Sequence, residues 1–406
     1  MADFARSTHP GVQAQLDRLS MISPGGDRLG LDRISRLLDR LGRPQDSLPP
    51  LFHVAGTNGK GSTVAFLRAA LEGAGHSVHA FTSPHLVRFN ERIRIAGKLI
   101  DDGQLLALLT ETLDASDDIE PSFFEVATAV ALLAFARAPA DACILEVGLG
   151  GRLDATNIVE HPLVTGIASL GLDHQQFLGS DIVSIAREKA SIAKPGVPLV
   201  SLAQSTEAEA AIADVAAERD APLLLEGRDW ALDPEMKPGL PGAHQRRNAG
   251  LAWEMFRAQD KLMVARETFL DAIAAADWPA RFQKLGDGPL ARCLETWVDG
   301  AHNPAAAAAL ADILSERGPM HLVIGILANK DAEAIVSALA PHALSLTFVP
   351  VLDHPHHDPE ELAEKFGGRT ADTLETALAA LPEPRLIAGS LYLAGQALAA
   401  NDQVPN

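Results

Sequence analysis

Lys60 stands alone among glycines in His53-Val-Ala-Gly-Thr-Asn-Gly-Lys-Gly-Ser-Thr63. A short apolar run, Leu51 to Ala55, reads as a buried strand entering this turn, and a helical pattern with Val64, Leu67 and Leu71 on one face leaves it. A strand–turn–helix of this kind aims successive backbone N–H groups into a concavity. The helix dipole adds partial positive charge there, and Lys60 a full one. Polyphosphate binding is the chemistry this suits. The spacing Gly56-x-x-Gly59-Lys60-Gly61-Ser62 departs from G-x-x-x-x-G-K-[ST], so a glycine turn with a surface lysine is the competing reading.

Further polar residues follow strand-like runs. Thr82, Ser83 and His85 come after His76 to Thr82; Glu146 ends Ala142 to Val147; Asp173 and His174 follow Leu163 to Leu170. Ligands of an open parallel sheet bind at the carboxyl ends of its strands. A carboxylate there, beside a phosphate loop, is a natural Mg²⁺ ligand because hard cations take oxygen donors. Glu146 is therefore the leading metal candidate, against a solvated strand-end glutamate. Gly148-Leu-Gly-Gly151 fails as a dinucleotide fingerprint, since G-x-G-x-x-G requires glycine where Leu153 stands.

Lys189 is out of place. On a wheel from Asp181 to Ala193 it falls among Ile182, Ile185, Ala186 and Ala193, opposite Ser184, Arg187, Glu188 and Ser191. An uncompensated ammonium there is costly. One reading is a snorkelling side chain with its head in water. The other is a lysine whose burial lowers its pKa, so that the neutral amine takes up CO₂ as an anionic carbamate able to bind a metal.

The elements that must position these groups alternate between short β-rich runs and longer helical patterns, the rhythm of a parallel sheet with crossover helices. Helices are expected over Phe124 to Ala136, Asp181 to Ala193, Asn248 to Ala258 and Arg266 to Ala276, and a further strand over Val197 to Leu202; Ser83 to Arg94 reads as a polar, irregular piece. After a pause near Trp278 to Gln283 a new series begins: strand Glu295 to Val298, helix Pro304 to Arg317, strand His321 to Ile326, helix Asp331 to Ala340, strand Ser345 to Val351 and strand Arg385 to Ala388. The expected class is α/β, a P-loop-type parallel-sheet ATPase domain (1–283) followed by a smaller Rossmann-like α/β domain (284–406). In the latter, Asp299-Gly-Ala-His-Asn-Pro304 ends a strand where an Asp can accept from ribose hydroxyls, or simply forms a turn before a helix. Asp353-His-Pro-His-His-Asp358 is a metal candidate or a polar loop before a helix.

At 406 residues, 47% hydrophobic and 21% charged, the composition is that of a globular protein. A formal charge of −19 argues against nucleic-acid or anionic-membrane binding and requires a local cationic cluster for any anionic substrate. Two cysteines, Cys143 and Cys293, each in an apolar strand-like run, exclude a disulfide framework and read as buried thiols. The stretch Met1 to Arg6 has no apolar core of a signal peptide, and the apolar run ending at Arg137 is too short to span a bilayer, so a cytoplasmic address is expected.

Taken in order, several blocks resemble the folylpolyglutamate synthase/dihydrofolate synthase family, a branch of the Mur ligase superfamily. They are the ten residues from His53, Thr-Ser-Pro-His-Leu from Thr82, Phe-Asn-Glu-Arg-Ile from Phe89, Glu-Val-Gly-Leu-Gly-Gly-Arg-Leu-Asp-Ala-Thr-Asn from Glu146, Gly-Leu-Asp-His from Gly171, Arg-Glu-Lys-Ala-Ser-Ile-Ala-Lys-Pro-Gly from Arg187 and Asp-Gly-Ala-His-Asn-Pro from Asp299. The resemblance implies an ATP-dependent amide ligase: a pteroate or folate carboxylate is phosphorylated, and the amine of L-glutamate displaces phosphate. It implies a phosphate loop of Thr57, Asn58, Gly59, Lys60, Gly61 and Ser62, and ATP contacts at Asn248, Arg281 and Asp299 drawn from both domains. Mg²⁺, as two ions, would be held by Ser83, Glu146, His174 and carbamylated Lys189, with an optional monovalent cation. The catalytic residues would be Lys60, Lys189 and His174. The pterin-bearing substrate would lie near Ser122, Phe123, Phe124 and Glu125 and near Leu153, Asp154 and Ala155, with Arg152 meeting the anionic glutamate. A monomer is implied.

Two positions depart from the family pattern: Ser191 stands where glycine is common, and Asn329 where an acidic residue is more usual, leaving Lys330 and Asp331 without an assigned role. Rival readings are a Mur-type ligase for a cell-wall UDP-linked precursor and a nucleotide-binding regulator without ligase activity. The second leaves His174 and Lys189 unexplained.

Overall fold

The computed structural model describes residues 5–23 and 29–405; residues 1–4 of the N-terminal stretch read above lie outside them. The chain divides into two compact units, Met1–Gly239 with Gln245–Ala276, and Leu240–His244 with Asp277–Asn406.

The first unit is built on an eight-stranded sheet. Its strands are β1 (Leu51–Ala55), β2 (Val78–Phe81), β3 (Ile93–Ile95), β4 (Lys98–Leu99), β5 (Ala142–Glu146), β6 (Val164–Ile167), β7 (Leu199–Ser201) and β8 (Leu223–Leu225). The order is β4-β3-β2-β5-β1-β6-β7-β8. Every pairing from β2 to β8 is parallel. Strands β3 and β4 add an antiparallel edge. The stretch from Ser83 to Arg94 is thus less irregular than its polarity suggests: Phe89–Arg92 forms a 3-10 turn and the chain enters β3 at Ile93.

All residues of β1 and of β5 are buried, as expected for central strands covered on both faces. Because side chains alternate across a strand, Leu51 joins the cluster of Phe81, Cys143, Leu145 and the helix Phe123–Arg137, while Phe52 meets Phe256 edge-on at 5.4 Å on the other face. A third cluster packs the helices Ile182–Ala190 and Thr206–Glu218 against Ala55, Ile167 and Leu199.

A polar residue lies within the central strand β1. His53, in the middle of β1, is fully buried, and its Nε2 lies 2.8 Å from Thr156 Oγ1. Burial, with a smaller contribution from Lys194, lowers its pKa to about 3. The unfolded imidazole titrates near 6.5, so between those values the unfolded chain binds the extra proton. This contribution to stability is complete above pH ~6.5 and is lost as the pH falls toward 3. In His53→Gln, the dependence of unfolding free energy on pH across that window should flatten by about 1.4 kcal/mol per pH unit, read from urea melts at stepped pH. An unchanged slope would remove His53 from the acid response.

The second unit contains a six-stranded sheet of β9 (Gln283–Lys284), β10 (Thr296–Val298), β11 (Met320–Ile324), β12 (Ala343–Phe348), β13 (Arg369–Thr370) and β14 (Arg385–Ala388), in the order β13-β12-β11-β14-β10-β9. Only the β10–β9 pairing is antiparallel. Helices Pro304–Arg317 and Ala332–Leu339 bury Leu310, Leu314, Ile335 and Val336 in its core. Cys143 is buried as expected, but Cys293 is not: it is exposed, with φ 61°, in a turn before β10, its Sγ 3.2 Å from Asp287. Among the described residues no helix is long and apolar enough to cross a membrane.

Candidate active site

Strands β2, β5, β1 and β6 are consecutive neighbours and parallel. Neighbouring strands lie only about 4.8 Å apart, so whatever follows their carboxyl ends is brought to one edge. That places the loop from Gly56, the loop from Thr82, Glu146 and the segment from Ala168 to His174 side by side.

The turn after β1 is tied down before it can bind anything. Thr57 N and Asn58 N both donate to Ser169 O, at 2.8 and 3.1 Å, and Thr57 Oγ1 bonds Gly171 N and O. These two amides therefore anchor the loop to the end of β6, and the available cradle begins at Gly59. Gly59 caps the helix Lys60–Gly73 with φ +87°, and a Cβ there would run into the carboxamide of Asn248. Asn248, buried in the helix Ala243–Arg257, is held by Gln245 at 3.0 Å. Ser62 Oγ is buried and has no hydrogen-bond partner among the described residues, which fits a hydroxyl kept for a cation or a phosphate oxygen. Gly59→Ala is expected to weaken ATP-analogue binding at least ~10-fold, because the new methyl meets both an unfavourable φ and Asn248. Calorimetric titration with a non-hydrolysable analogue checks this; wild-type affinity would show that the turn tolerates a side chain.

Two lysines meet on one carbonyl. Lys60 Nζ donates to Gly56 O at 3.0 Å and Thr57 O at 3.2 Å, and Lys189 Nζ donates to the same Gly56 O at 3.0 Å. Lys189 is buried on the inner face of the helix Ile182–Ala190, as the helical wheel anticipates. It does not snorkel. Burial first, and then the charge of Lys60, bring its pKa down to about 7, against the opposing pull of Asp173, Asp154 and Glu188. Ser191, where glycine is common, turns its hydroxyl back onto Arg187 O at 2.8 Å and leaves Lys189 undisturbed.

Glu146, buried at the end of β5, accepts from Ser83 N at 3.2 Å. The Ser83 loop is shaped by Glu91, whose carboxylate takes Leu86 N, Val87 N and Arg88 N at 2.8–2.9 Å. His174 has φ 51° and donates its backbone N–H to Asp173 Oδ1 at 2.8 Å, with Nε2 4.0 Å from the same oxygen. Among the described residues no three His, Cys, Asp or Glu side chains cluster to hold a metal. Glu146 and His174 supply two donors of those types, and a carbamate on Lys189 would supply a further anionic oxygen.

The loop Gly148–Asn157 is docked beside Lys189. A Cβ on Gly151 would lie 2.5 Å from Glu188 O and 2.9 Å from Lys189 O, so only glycine fits there. Arg152, expected to face glutamate, pairs with Glu188 at 2.8 Å. Asp154, expected near the pterin, is buried and committed to the loop: it accepts Leu149 N at 2.8 Å, Thr156 N at 2.9 Å and Thr156 Oγ1 at 2.5 Å. Since that hydroxyl donates to Asp154, His53 Nε2 carries the proton it shares with Thr156. Ala155 is buried and Leu153 partly so.

Ser122 and Glu125 form a capping box on the helix Phe123–Arg137, with Ser122 N to Glu125 Oε2 at 2.6 Å. Phe123 packs edge-on against Phe89, and the Phe124 ring covers Gly148. Arg33, which no motif points to, donates to Glu125 Oε2 at 3.0 Å from the helix Asp32–Arg40.

In the second unit, Asp299 follows β10. Its oxygens accept Phe282 N and Ala301 N, each at 2.8 Å, and burial raises its pKa. Arg281 lies near enough to oppose that rise. Asp331 is a helix cap. The 353–358 segment is a polar loop: His354 stacks on Tyr392, His357 bonds Lys330 O at 2.9 Å, and Asp358 caps the next helix.

The chain is similar to known proteins along most of its length. The family profile "Mur ligase, glutamate ligase domain" matches residues 280–391. The dihydrofolate synthase/folylpolyglutamate synthase of Bacillus subtilis (strain 168) is 35% identical over 410 residues, covering 90% of this chain and 94% of that protein. E. coli FolC, solved in complex with DHPP and ADP, superimposes with a TM-score of 0.87 at 32% identity, covering 98% of this chain and 99% of that one. A bifunctional folylpolyglutamate synthase/dihydrofolate synthase with Mn, AMPPNP and L-glutamate bound gives a TM-score of 0.85 at 32% identity over 97% and 98% of the two chains. With its Mur-type α/β fold and near-complete alignment to these proteins, the chain belongs to the folylpolyglutamate synthase/dihydrofolate synthase family of the Mur ligases.

Proposed function

We propose that the protein is an ATP-dependent ligase that joins L-glutamate by an amide bond to dihydropteroate and to reduced folates. The observation that carries this reading is the meeting of Lys60 and buried Lys189 on Gly56 O, beside Glu146, at one sheet edge. A carboxylate is a poor acyl donor because its leaving group would be oxide. Attack of the substrate carboxylate oxygen on the γ-phosphorus of ATP releases ADP and gives an acyl phosphate. The glutamate nitrogen then attacks the carbonyl carbon, loses a proton, and phosphate departs. Catalysis of both steps rests on holding the partners in line and neutralising charge on the transferring oxygens.

In this reading Gly59, Lys60, Gly61 and Ser62 cradle the phosphates, and Thr57 and Asn58 fix the loop. Asn248, Arg281 and Asp299 contact ATP. Ser83, Glu146, His174 and a carbamate of Lys189 hold Mg²⁺, as two ions, which when bound would screen the β- and γ-phosphate oxygens. A monovalent cation is an optional addition to this set. Ser122 to Glu125 and Leu153 to Ala155 form the pterin site, with Asp154 acting through the loop it organises and Arg152 set for the anionic glutamate. Residues 1–283 make the ATP-binding domain and 284–406 the ligase domain of a cytoplasmic monomer.

The test is steady-state phosphate release with ATP, Mg²⁺ and L-glutamate, using dihydropteroate and a tetrahydrofolate monoglutamate in turn. Glutamate-dependent release is expected with each. Release with neither acid, or release indifferent to glutamate, would sink the assignment.

A further inference from the structure

The backbone ladder between β6 and β7 ends with Leu202 N bonded to Ile167 O at 3.0 Å. Beyond it no strand among the described residues lies beside Ala168 to Gly171 on that side, although the Thr57–Gly171 contacts depend on its course. The gap is filled by one side chain. Gln204 Nε2 donates to Ala168 O and Gln204 Oε1 accepts from Leu170 N, both at 3.0 Å. A carboxamide has the donor and acceptor of a peptide group, so Gln204 stands in for the missing strand residue.

The backbone groups of an extended chain point alternately to its two edges. Ala168 N–H still bonds Ala55 O of β1, but Ala168 O and Leu170 N turn toward Gln204. Residues 169 and 171 face the other way and hold the phosphate loop: Ser169 O takes Thr57 N and Asn58 N, and Gly171 bonds Thr57 Oγ1. Two residues further on come Asp173 and His174. A slip of this segment would therefore move the phosphate loop and the Asp173–His174 pair together.

Gln204 is itself well placed to act as a fixed point. Its N–H donates to Glu209 Oε1 at 2.9 Å. The preceding Ala203 is gripped from both sides, its N–H by Glu226 at 2.8 Å and its carbonyl by Arg247 at 2.6 Å, and those two side chains pair at 2.7 Å.

We propose that Gln204 is a positioning residue for phosphoryl transfer, its carboxamide completing the sheet beside residues 168–170 and thereby setting the phosphate loop against Asp173 and His174. The inference rests on the ATP-ligase reading above and concerns its ATP half only.

Full-length Gln204→Ala and Gln204→Glu separate the hydrogen bonds from the volume. The glutamate keeps the shape but turns a carboxylate oxygen toward Ala168 O. Both variants are expected to lower kcat about 10- to 100-fold, the scale of an ångström-sized misplacement, and to weaken binding of a non-hydrolysable ATP analogue. KM for the pterin-bearing acid and the melting temperature should stay at wild-type values. Wild-type kcat and analogue affinity in Gln204→Ala, or a Gln204→Glu enzyme as active as wild type, would overturn the proposal. So would a loss of melting temperature with every kinetic constant falling alike, which marks a merely structural residue. The analogue titration needs no acid or glutamate. It therefore reads the positioning role even if the ligase assay fails, and unchanged affinity there counts against Gln204 on its own.

Discussion

Replacing Lys189 by alanine is expected to reduce glutamate-dependent phosphate release about a thousand-fold, the loss typical of removing an oriented charge-stabilising group from a buried site. The side chain is buried and donates to Gly56 O; that burial lowers its pKa, with Lys60 helping and Asp173, Asp154 and Glu188 opposing. With its pKa brought down to about 7, a large fraction of the amine is neutral at physiological pH and can add to CO₂, forming an N–C bond and releasing a proton. The product replaces a cation by an anion facing Glu146's sheet edge. Lys189→Arg keeps the positive charge but has no neutral form to carbamylate, so it should be as inactive as alanine. Lys189→Met keeps the apolar stem without the amine. Were the lysine only a core strut, methionine would retain the rate. Added short carboxylates should restore part of the alanine variant's activity by occupying the vacated volume. An alanine enzyme within a few-fold of wild type would remove Lys189 from the mechanism.

How Lys189 could be read from the sequence, and Gln204 could not, follows from the kind of contact each makes. Lys189 breaks an otherwise apolar helix face, and the wheel exposes such a break. The Gln204 carboxamide bonds backbone atoms, which any residue at 168 or 170 would offer, so no partner residue advertises it. The expected strand Leu163 to Leu170 shows the same limit: its ladder stops at Ile167, and a side chain maintains the rest. Strand β1 and the helix Pro304–Arg317 have the bounds their patterns suggest, the first because it is buried on both faces, the second because Asn303 and Pro304 mark its start. The helix expected from Asn248 begins at Ala243 instead, since Gln245, Arg246 and Arg247 hide its first turn from a hydrophobicity pattern. Around Cys293 the apolar letters belong to a turn under β10, and hydrophobicity alone does not distinguish a short turn from a strand. Arg152 and Asp154 were legible as part of a site block, but their present partners, Glu188 and Thr156, depend on how the loop docks.

Lys60 should matter twice, and the two effects can be separated. Its ammonium now rests on Gly56 O and Thr57 O, loop carbonyls that phosphate oxygens of ATP would outcompete for it. Removing that charge in Lys60→Gln is expected to lower kcat about 100- to 1,000-fold, the cost of losing one donor aimed at a developing anion. The same charge also helps to depress the pKa of Lys189, second only to burial. Without Lys60 the neighbouring amine should hold its proton to higher pH. The residual activity of Lys60→Gln should therefore rise with pH along a limb displaced upward from the wild-type one, which the buried lysine places near 7. Lys60→Arg preserves the charge but not the compact ammonium. It should lose rate while leaving the limb where it was. A pH–rate series of the three enzymes at saturating ATP and glutamate decides the matter. Equal displacement in both variants, or none in either, would mean that the two lysines act independently, although they share one carbonyl.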